Sequence, residues 1–376
     1  MTVPLPVILA LGQADAEHQL AALAPSAGIY ALVIEGSPTH LSWCANLPKR
    51  LRRLLFQSPE KTPGMTQRIR DRLTRIECWP TASKLETSLL LYSLTKRIFP
   101  EDYVQRLRLR MPWFIGLAAS DPFPRLVLSN RLPRSQGTFF GPFASRESAQ
   151  FYEEQVEGLF QIRRCTETLQ PSSAHPGCIY GEMSQCLKPC QLAVSREEYA
   201  TEAARVGEFL ADNGRSALST LSSARERASE VLDFEQAAYI HKRIERLRNA
   251  IAARDEVVSE AAHFNGVALT RSAGIGCICL WPMQEGLWRT PITIDLSSEQ
   301  PQARSLDALL RETLSDALEE PAGEGKPAEH LALFLRWYRS SWRDGEWFPY
   351  RTLTDLNYRK LVREISKLLK ADAVSC

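Results

Sequence analysis

At 376 residues the chain exceeds one ordinary core and has room for two to four domains. Its 44% hydrophobic and 24% charged residues exclude a disordered chain, and no run of eighteen apolar residues offers a membrane-spanning helix. The net charge of +2 gives no reason of its own to invoke nucleic acid.

The opening VPLPVILALG is short and has neither a basic flank nor a small-residue cleavage pattern, so a cytoplasmic protein is expected, with residues 1–24 as an extension without a motif. From Gly28, GIYALVI and THLSWCANL flank the turn Glu35-Gly36-Ser37-Pro38, and β-forming runs around turn chemistry predict a hairpin. Asn46 caps a helix over LPKRLRRLLF, with Pro48 in its first turn. Residues 84–98 repeat Leu at helical spacing and stop before Pro100. FIGLA and RLVLS predict strands within 112–145, and helical text resumes from Ser145 to Phe160. The segment that follows is broken by Pro171, Pro176, Gly177 and Gly181, as expected where ligands rather than packing hold the chain.

Residues 196–254 read as an antiparallel helical hairpin broken near Leu232-Asp233, with Ile240, Ile244, Leu247 and Ile251 on one stripe. GVALTR, GCICLWPM and PITIDL predict strands, 306–318 and 358–370 helices, and EEPAGEGK at 319–326 a loop. The aromatic-rich RWYRSSWRDGEWFPY at 336–350 is expected to pack against a sheet rather than to stack bases. The fold class is therefore α+β and multidomain: a small mixed α/β domain at 25–104, a linking region with the cysteine-rich segment at 105–195, the helical hairpin, and a carboxy-terminal α/β domain at 255–376.

Basic residues of the first third fall in three groups: Lys49, Arg50, Arg52 and Arg53; then Arg68, Arg70, Arg72 and Arg75; then Arg106, Arg108 and Arg110. Three groups in succession suggest a phosphate-facing surface. Four of the nine cysteines, Cys165, Cys178, Cys186 and Cys190, fall within 26 residues in the form C-x12-C-x7-C-x3-C. In a reducing compartment this is no disulfide framework, and four thiolates suit either tetrahedral zinc or an iron–sulfur cluster.

The order of GIY at 28–30, NLPKRL at 46–51, TFFGPFAS at 138–145, RRC at 163–165, CIYGEMSQCLKPC at 178–190 and LDFEQAAYIHKRI at 232–244 resembles the amino-terminal half of the UvrC family, over about 25–255. The resemblance implies nucleotide excision repair within the SOS response, double-stranded DNA as a ligand, and incision by a GIY-YIG nuclease domain in which a metal-activated water attacks a phosphodiester. Tyr30 matches the first motif tyrosine and Arg50 the helix arginine, whereas His40, Ser42, Trp43, Leu91 and Tyr103 stand where the family has its second tyrosine, glycine, lysine, metal-binding glutamate and asparagine. Leucine cannot bind a hard cation, so the resemblance implies a degenerate nuclease site, with magnesium needed only if activity survives through a rearranged site using His40 or Glu86. The cysteine segment is similar to one associated in this family with a [4Fe-4S] cluster, with zinc as the alternative. LDFEQAAYIHKRI resembles the UVR motif through which the family meets a UvrB helicase, which implies Phe234 as an exposed anchor with Glu235, Ala237, Ala238 and Ile240 around it. Beyond 255 the strands are compatible with a truncated RNase H-like domain or an unrelated α/β one, and its carboxylates Asp295, Asp307, Asp316 and Asp355 are scattered.

Overall fold

The computed structural model describes residues 3–9, 13–56, 72–118, 121–132, 137–297, 305–319 and 325–375, so Arg68 and Arg70 and most of the expected loop at 319–326 lie outside the described residues. Two compact units result: residues 1–109 together with 265–376, and residues 110–264. Every pairing among the described strands is antiparallel, which fits the α+β expectation.

The first unit starts from strand β1 (Val7–Leu9) and helix α1 (Gln13–Ala22). The expected hairpin forms from β2 (Ala27–Ile34) and β3 (His40–Cys44), with Gly36 at φ 63° in the turn. Helix α2 (Leu47–Phe56), strand β4 (Leu73–Thr81), helix α3 (Lys84–Ile98) and the short α4 (Tyr103–Arg106) follow. The sheet order is β1-β4-β2-β3. Residues 1–24 are therefore no mere extension. They supply an edge strand and a covering helix, because Leu9 and Leu20 are fully buried with Tyr30, Leu32, Leu47, Leu51 and Ile76. Alternation along β2 sends Tyr30 and Leu32 toward α1 and α2, and Ile29 and Ala31 toward Leu90 and Leu94 of α3. Gly28 is fixed by close approach: a Cβ there would collide with Leu47 and with the carbonyl of Trp79.

The same unit contains strands β9 (Asn265–Arg271), β10 (Cys277–Gln284), β11 (Leu287–Trp288), β12 (Ile292–Asp295) and β13 (Gly345–Tyr350). Helices α10 (Leu306–Glu319), α11 (Pro327–Tyr338) and α12 (Tyr358–Ser375) accompany them. Leu310 and Leu314 of α10 and Leu361 and Ile365 of α12 pack on Val267, Leu269, Leu280 and Phe348. The aromatic segment does pack: Trp337 and Trp347 are buried in a ring cluster with Phe334 and Trp288. The scattered carboxylates serve locally, Asp295 with Ser297, Asp307 with Arg311 and Asp355 with Thr352, while Asp316 is exposed on α10.

The second unit holds the sheet β6-β5-β7-β8, built from β5 (Trp113–Leu117), β6 (Leu126–Ser129), β7 (Phe139–Phe143) and β8 (Ser259–Glu260). Because β8 completes this sheet, the expected boundary at 255 moves to 264. Helices α5 (Arg146–Glu157), α6 (Ile179–Glu182), α7 (Arg196–Asp212), α8 (Arg215–Glu230) and α9 (Phe234–Ala253) complete it. The span 196–254 is thus three helices, not a two-helix hairpin. Asn213 and Gly214 are both left-handed, and the Asp212 carboxylate accepts from the Gly214 and Ser216 amides, so the chain breaks there and restarts. Helix α7 belongs to the core of the unit through Tyr199, Ala203, Val206 and Phe209, and α8 with α9 forms the hairpin.

Candidate functional site

Tyr30 is 1% exposed, and its hydroxyl accepts from Arg50 Nε at 3.1 Å while the guanidinium stands 5.9 Å from the ring centroid. Strand pairing puts Ser42 opposite Tyr30 and His40 opposite Leu32, on the same face of the sheet. Leu91 is on the other face, packed with Ile29, Ala31 and Trp79, and Trp43 is exposed. Glu86, the nearest carboxylate that could stand in for a ligand at position 91, is held elsewhere: it accepts from the Ala82 amide at 2.7 Å in the cap of α3, and burial raises its pKa. Lys49, Arg50, Arg52 and Arg53 are all exposed on α2. Of the other two basic groups, Arg72 donates to the Glu35 carbonyl, Arg75 to Glu77 and Arg106 to Asp102, while Arg108 and Arg110 are exposed.

One polar cluster was invisible to sequence reading. Glu329 of α11 is 3% exposed, and its two oxygens accept from the hydroxyls of Tyr92 at 2.6 Å and Tyr103 at 2.8 Å. Lys326 lies 3.4 Å from it, and Lys96 stands over both tyrosine rings at 5.5 and 5.7 Å. Burial alone would favour the protonated acid, yet the two hydroxyls and two ammonium groups outweigh it and hold Glu329 below the ordinary carboxylate range. Beside it His330 Nδ1 accepts from the Trp288 amide at 3.0 Å, and burial, with Lys96 nearby, pushes its pKa down to about 4. Arg336 of the same helix donates to the carbonyls of Leu107 and Arg108, and the Lys84 amide donates to Asp344. Residues more than two hundred positions apart thus share buried charge, and local periodicity carries no trace of it.

In the cysteine segment Cys186 and Cys190 are buried, Cys165 is half-buried and Cys178 exposed. Left-handed residues at Gly177, Ser184, Lys188 and Leu192 fold the segment back on itself. Among the described residues no three His, Cys, Asp or Glu side chains are gathered at metal-holding distance. Burial raises the pKa of Cys186, and the charges of Cys165, Cys178 and Cys190 raise it further. Backbone amides of Lys188 and Gln191 oppose this by donating to the Cys186 and Cys190 sulfurs, and Arg163 Nη1 donates to Cys165 Sγ at 3.5 Å. Donors aimed at sulfur suit thiolate ligands, so the chemistry of the donor set, though not its spacing in this structure, fits a thiolate-bound metal group.

In the hairpin, Ala228, Ile240 and Ile244 pack with Leu218, Leu221, Ala224 and Ala237, while Leu247 and Ala250 join the core of the unit below. The turn is set by Leu232 at φ 60° and by Asp233, whose carboxylate accepts from the Gln236 amide at 3.0 Å and caps α9. At the tip Val231, Leu232 and Phe234 are 75%, 70% and 68% exposed, and Tyr239 is 58% exposed. Glu235 and Ala238 are exposed beside them and Ala237 is half-buried. Ile240 keeps its place on the apolar stripe but not beside the anchor: it is buried inside the hairpin, nearly two helical turns below the tip on the face that meets α8. Sequence reading found Phe234 but missed Val231, Leu232 and Tyr239, which lie on the same exposed end.

These features define a multidomain α+β protein built around a cysteine-bearing middle unit and an apolar-tipped helical hairpin. A family model described as the UvrC/Cho excinuclease middle domain matches residues 113–209, and one described as the UvrB/uvrC motif matches residues 215–250. The chain is 26% identical over 322 residues to UvrABC system protein C of Alcanivorax borkumensis, covering 84% of this chain and 52% of the relative. It is 27% identical over 304 residues to that of a Psychrobacter species, covering 79% and 48%, and 26% over 300 residues to that of Carboxydothermus hydrogenoformans, covering 80% and 49%. It spans about half the length of these curated relatives. No solved structure matches it. Over these segments the chain is similar to proteins of the UvrC family. No described helix is long and apolar enough to cross a membrane.

Proposed function

We propose that this chain acts in nucleotide excision repair as a binding member of the UvrC family, docking a UvrB-like helicase through the hairpin tip and touching duplex DNA through α2. The observation that carries this reading is the tip itself: Val231, Leu232 and Phe234 stay in water although the hairpin has a complete apolar core without them. Exposed aromatic and aliphatic side chains on a rigid support are the usual anchors of an interface. Lys49, Arg50, Arg52 and Arg53 would neutralise backbone phosphates, and Lys49→Ala with Arg52→Ala should lower the salt dependence of DNA binding by about 0.9 for each phosphate no longer neutralised.

In this reading the amino-terminal sheet is a platform without nuclease activity. Incision needs a base, a metal held by oxygens and a cation for the developing charge. Tyr30 and Arg50 are engaged with each other, Leu91 is in apolar packing, Glu86 is held in a helix cap and Glu329 lies between two tyrosines. The four cysteines would hold a [4Fe-4S] cluster, or zinc in its place, which ties the segment 165–190 together when bound. The direct test is to incubate the chain with nicked and damaged duplexes, with and without magnesium and a UvrB-like protein. Binding without cutting is expected; magnesium-dependent nicking lost in Arg50→Ala would establish the alternative, an endonuclease with a rearranged site.

A further inference from the structure

Cys165 differs from the other three cysteines in being tied to a buried cation. Arg163 is 1% exposed, and every nitrogen of its guanidinium is engaged. Its Nε donates to the Phe123 carbonyl at 2.8 Å, Nη1 to the carbonyls of Cys165 at 3.2 Å and Glu167 at 2.9 Å and to Cys165 Sγ at 3.5 Å, and Nη2 pairs with the Asp121 carboxylate. Its backbone amide donates to the Tyr199 hydroxyl at 2.9 Å, which in turn donates to the Pro124 carbonyl at 2.8 Å. The planar fork therefore joins two segments, 121–124 between β5 and β6 and 165–167 at the head of the cysteine segment. A buried ion pair with Asp121 accounts for one end of the fork. It does not account for the other end, where two carbonyls and the sulfur converge on a single nitrogen.

We infer that Arg163 is the positioning residue of the four-cysteine site, fixing the Cys165 sulfur by an N–H···S bond and by holding the carbonyls of Cys165 and Glu167. The inference rests on the four-cysteine reading proposed above. Its physical basis is that outer donors orient a ligand and favour its charged form, and removing one typically weakens metal affinity 10- to 100-fold. Lysine would keep the charge but has a single nitrogen, which cannot reach Asp121, Phe123, Cys165 and Glu167 at once.

The test uses the full chain, prepared anaerobically, with zinc ion as the probe in competition with a chromophoric chelator. Cys165→Ser is expected to lose tight zinc binding. Arg163→Lys should bind zinc roughly 10- to 100-fold more weakly while circular dichroism shows a folded protein. Asp121→Asn, at a partly exposed position, should weaken it in the same direction by less. Wild-type affinity in a folded Arg163→Lys, with binding lost in Cys165→Ser, overturns the role of Arg163 and leaves the cysteine site standing. Zinc binding undiminished in Cys165→Ser removes the four-cysteine reading and this inference with it. If Arg163→Lys does not fold, Asp121→Asn decides: weakened binding supports the role, unchanged binding overturns it.

Discussion

The amino-terminal sheet and the helical hairpin both carry residues to which a family resemblance assigns a task, and the structure treats them in opposite ways. Around the sheet the polar groups are buried and matched. Tyr30 has Arg50, Tyr92 and Tyr103 have Glu329, and Glu86 has the Ala82 amide. On the hairpin the apolar tip is exposed and unmatched, while the core behind it is complete. A buried group with every partner present stabilises a fold and has nothing left for a substrate. An exposed apolar group on a finished core contributes little to folding and is free to bind. The difference separates a matched scaffold from a free apolar surface within one chain.

The largest expected effect is on the scaffold. Glu329→Ala strips the acceptor from two buried hydroxyls and leaves Lys96 without its counter-charge, so chemical denaturation should show a loss of roughly 3 to 5 kcal/mol in the unit formed by 1–109 and 265–376. A change under about 1 kcal/mol would break the distinction, because the matched cluster would then be idle.

Next comes pH. His330 has a folded pKa of about 4 against an ordinary 6.5, so the unfolded chain takes up its proton first. Stability is complete above about 6.5 and falls as pH drops toward about 4, by up to about 3 kcal/mol at 1.36 kcal/mol per unit. Protonation would also cost the acceptor that the Trp288 amide uses. Melting curves between pH 4 and 7 should show this slope, and His330→Gln should flatten it; an equal slope in the variant assigns the acid sensitivity to other groups.

Within the hairpin the contrast can be sharpened less than two turns apart. Ile240→Ala removes a buried side chain and should cost at least about 2 kcal/mol by thermal denaturation. Phe234→Ala should cost less than about 0.5 kcal/mol, as expected of an exposed position.

Much of this was legible from sequence because it is local. Turn chemistry at Glu35-Gly36, the leucine spacing of 84–98, the stripe through Ile240 and Ile244, and the Asp-Phe-Glu start after Leu232 each decide structure within a few residues. What escaped is non-local or depends on which of two partners wins. Nothing near position 329 says that its carboxylate meets Tyr92 and Tyr103, and Arg163 looks like any arginine before a cysteine until Asp121 and Phe123 fold against it. The strand at 7–9 was missed because three residues give no periodicity, and pairing with β4 supplies what propensity does not. The break at Asn213-Gly214 was readable, since Asp-Asn-Gly is turn chemistry, but the helical pattern on either side masked it.

The claim that the hairpin tip is an interface is tested most directly by titrating Phe234→Ala against the UVR motif of a UvrB-like protein in a calorimeter, beside a thermal melt of the same sample. Association is expected to weaken by a factor on the order of ten to a hundred with the melting temperature unchanged. A mutant that binds as the parent does, or one that unfolds, contradicts it.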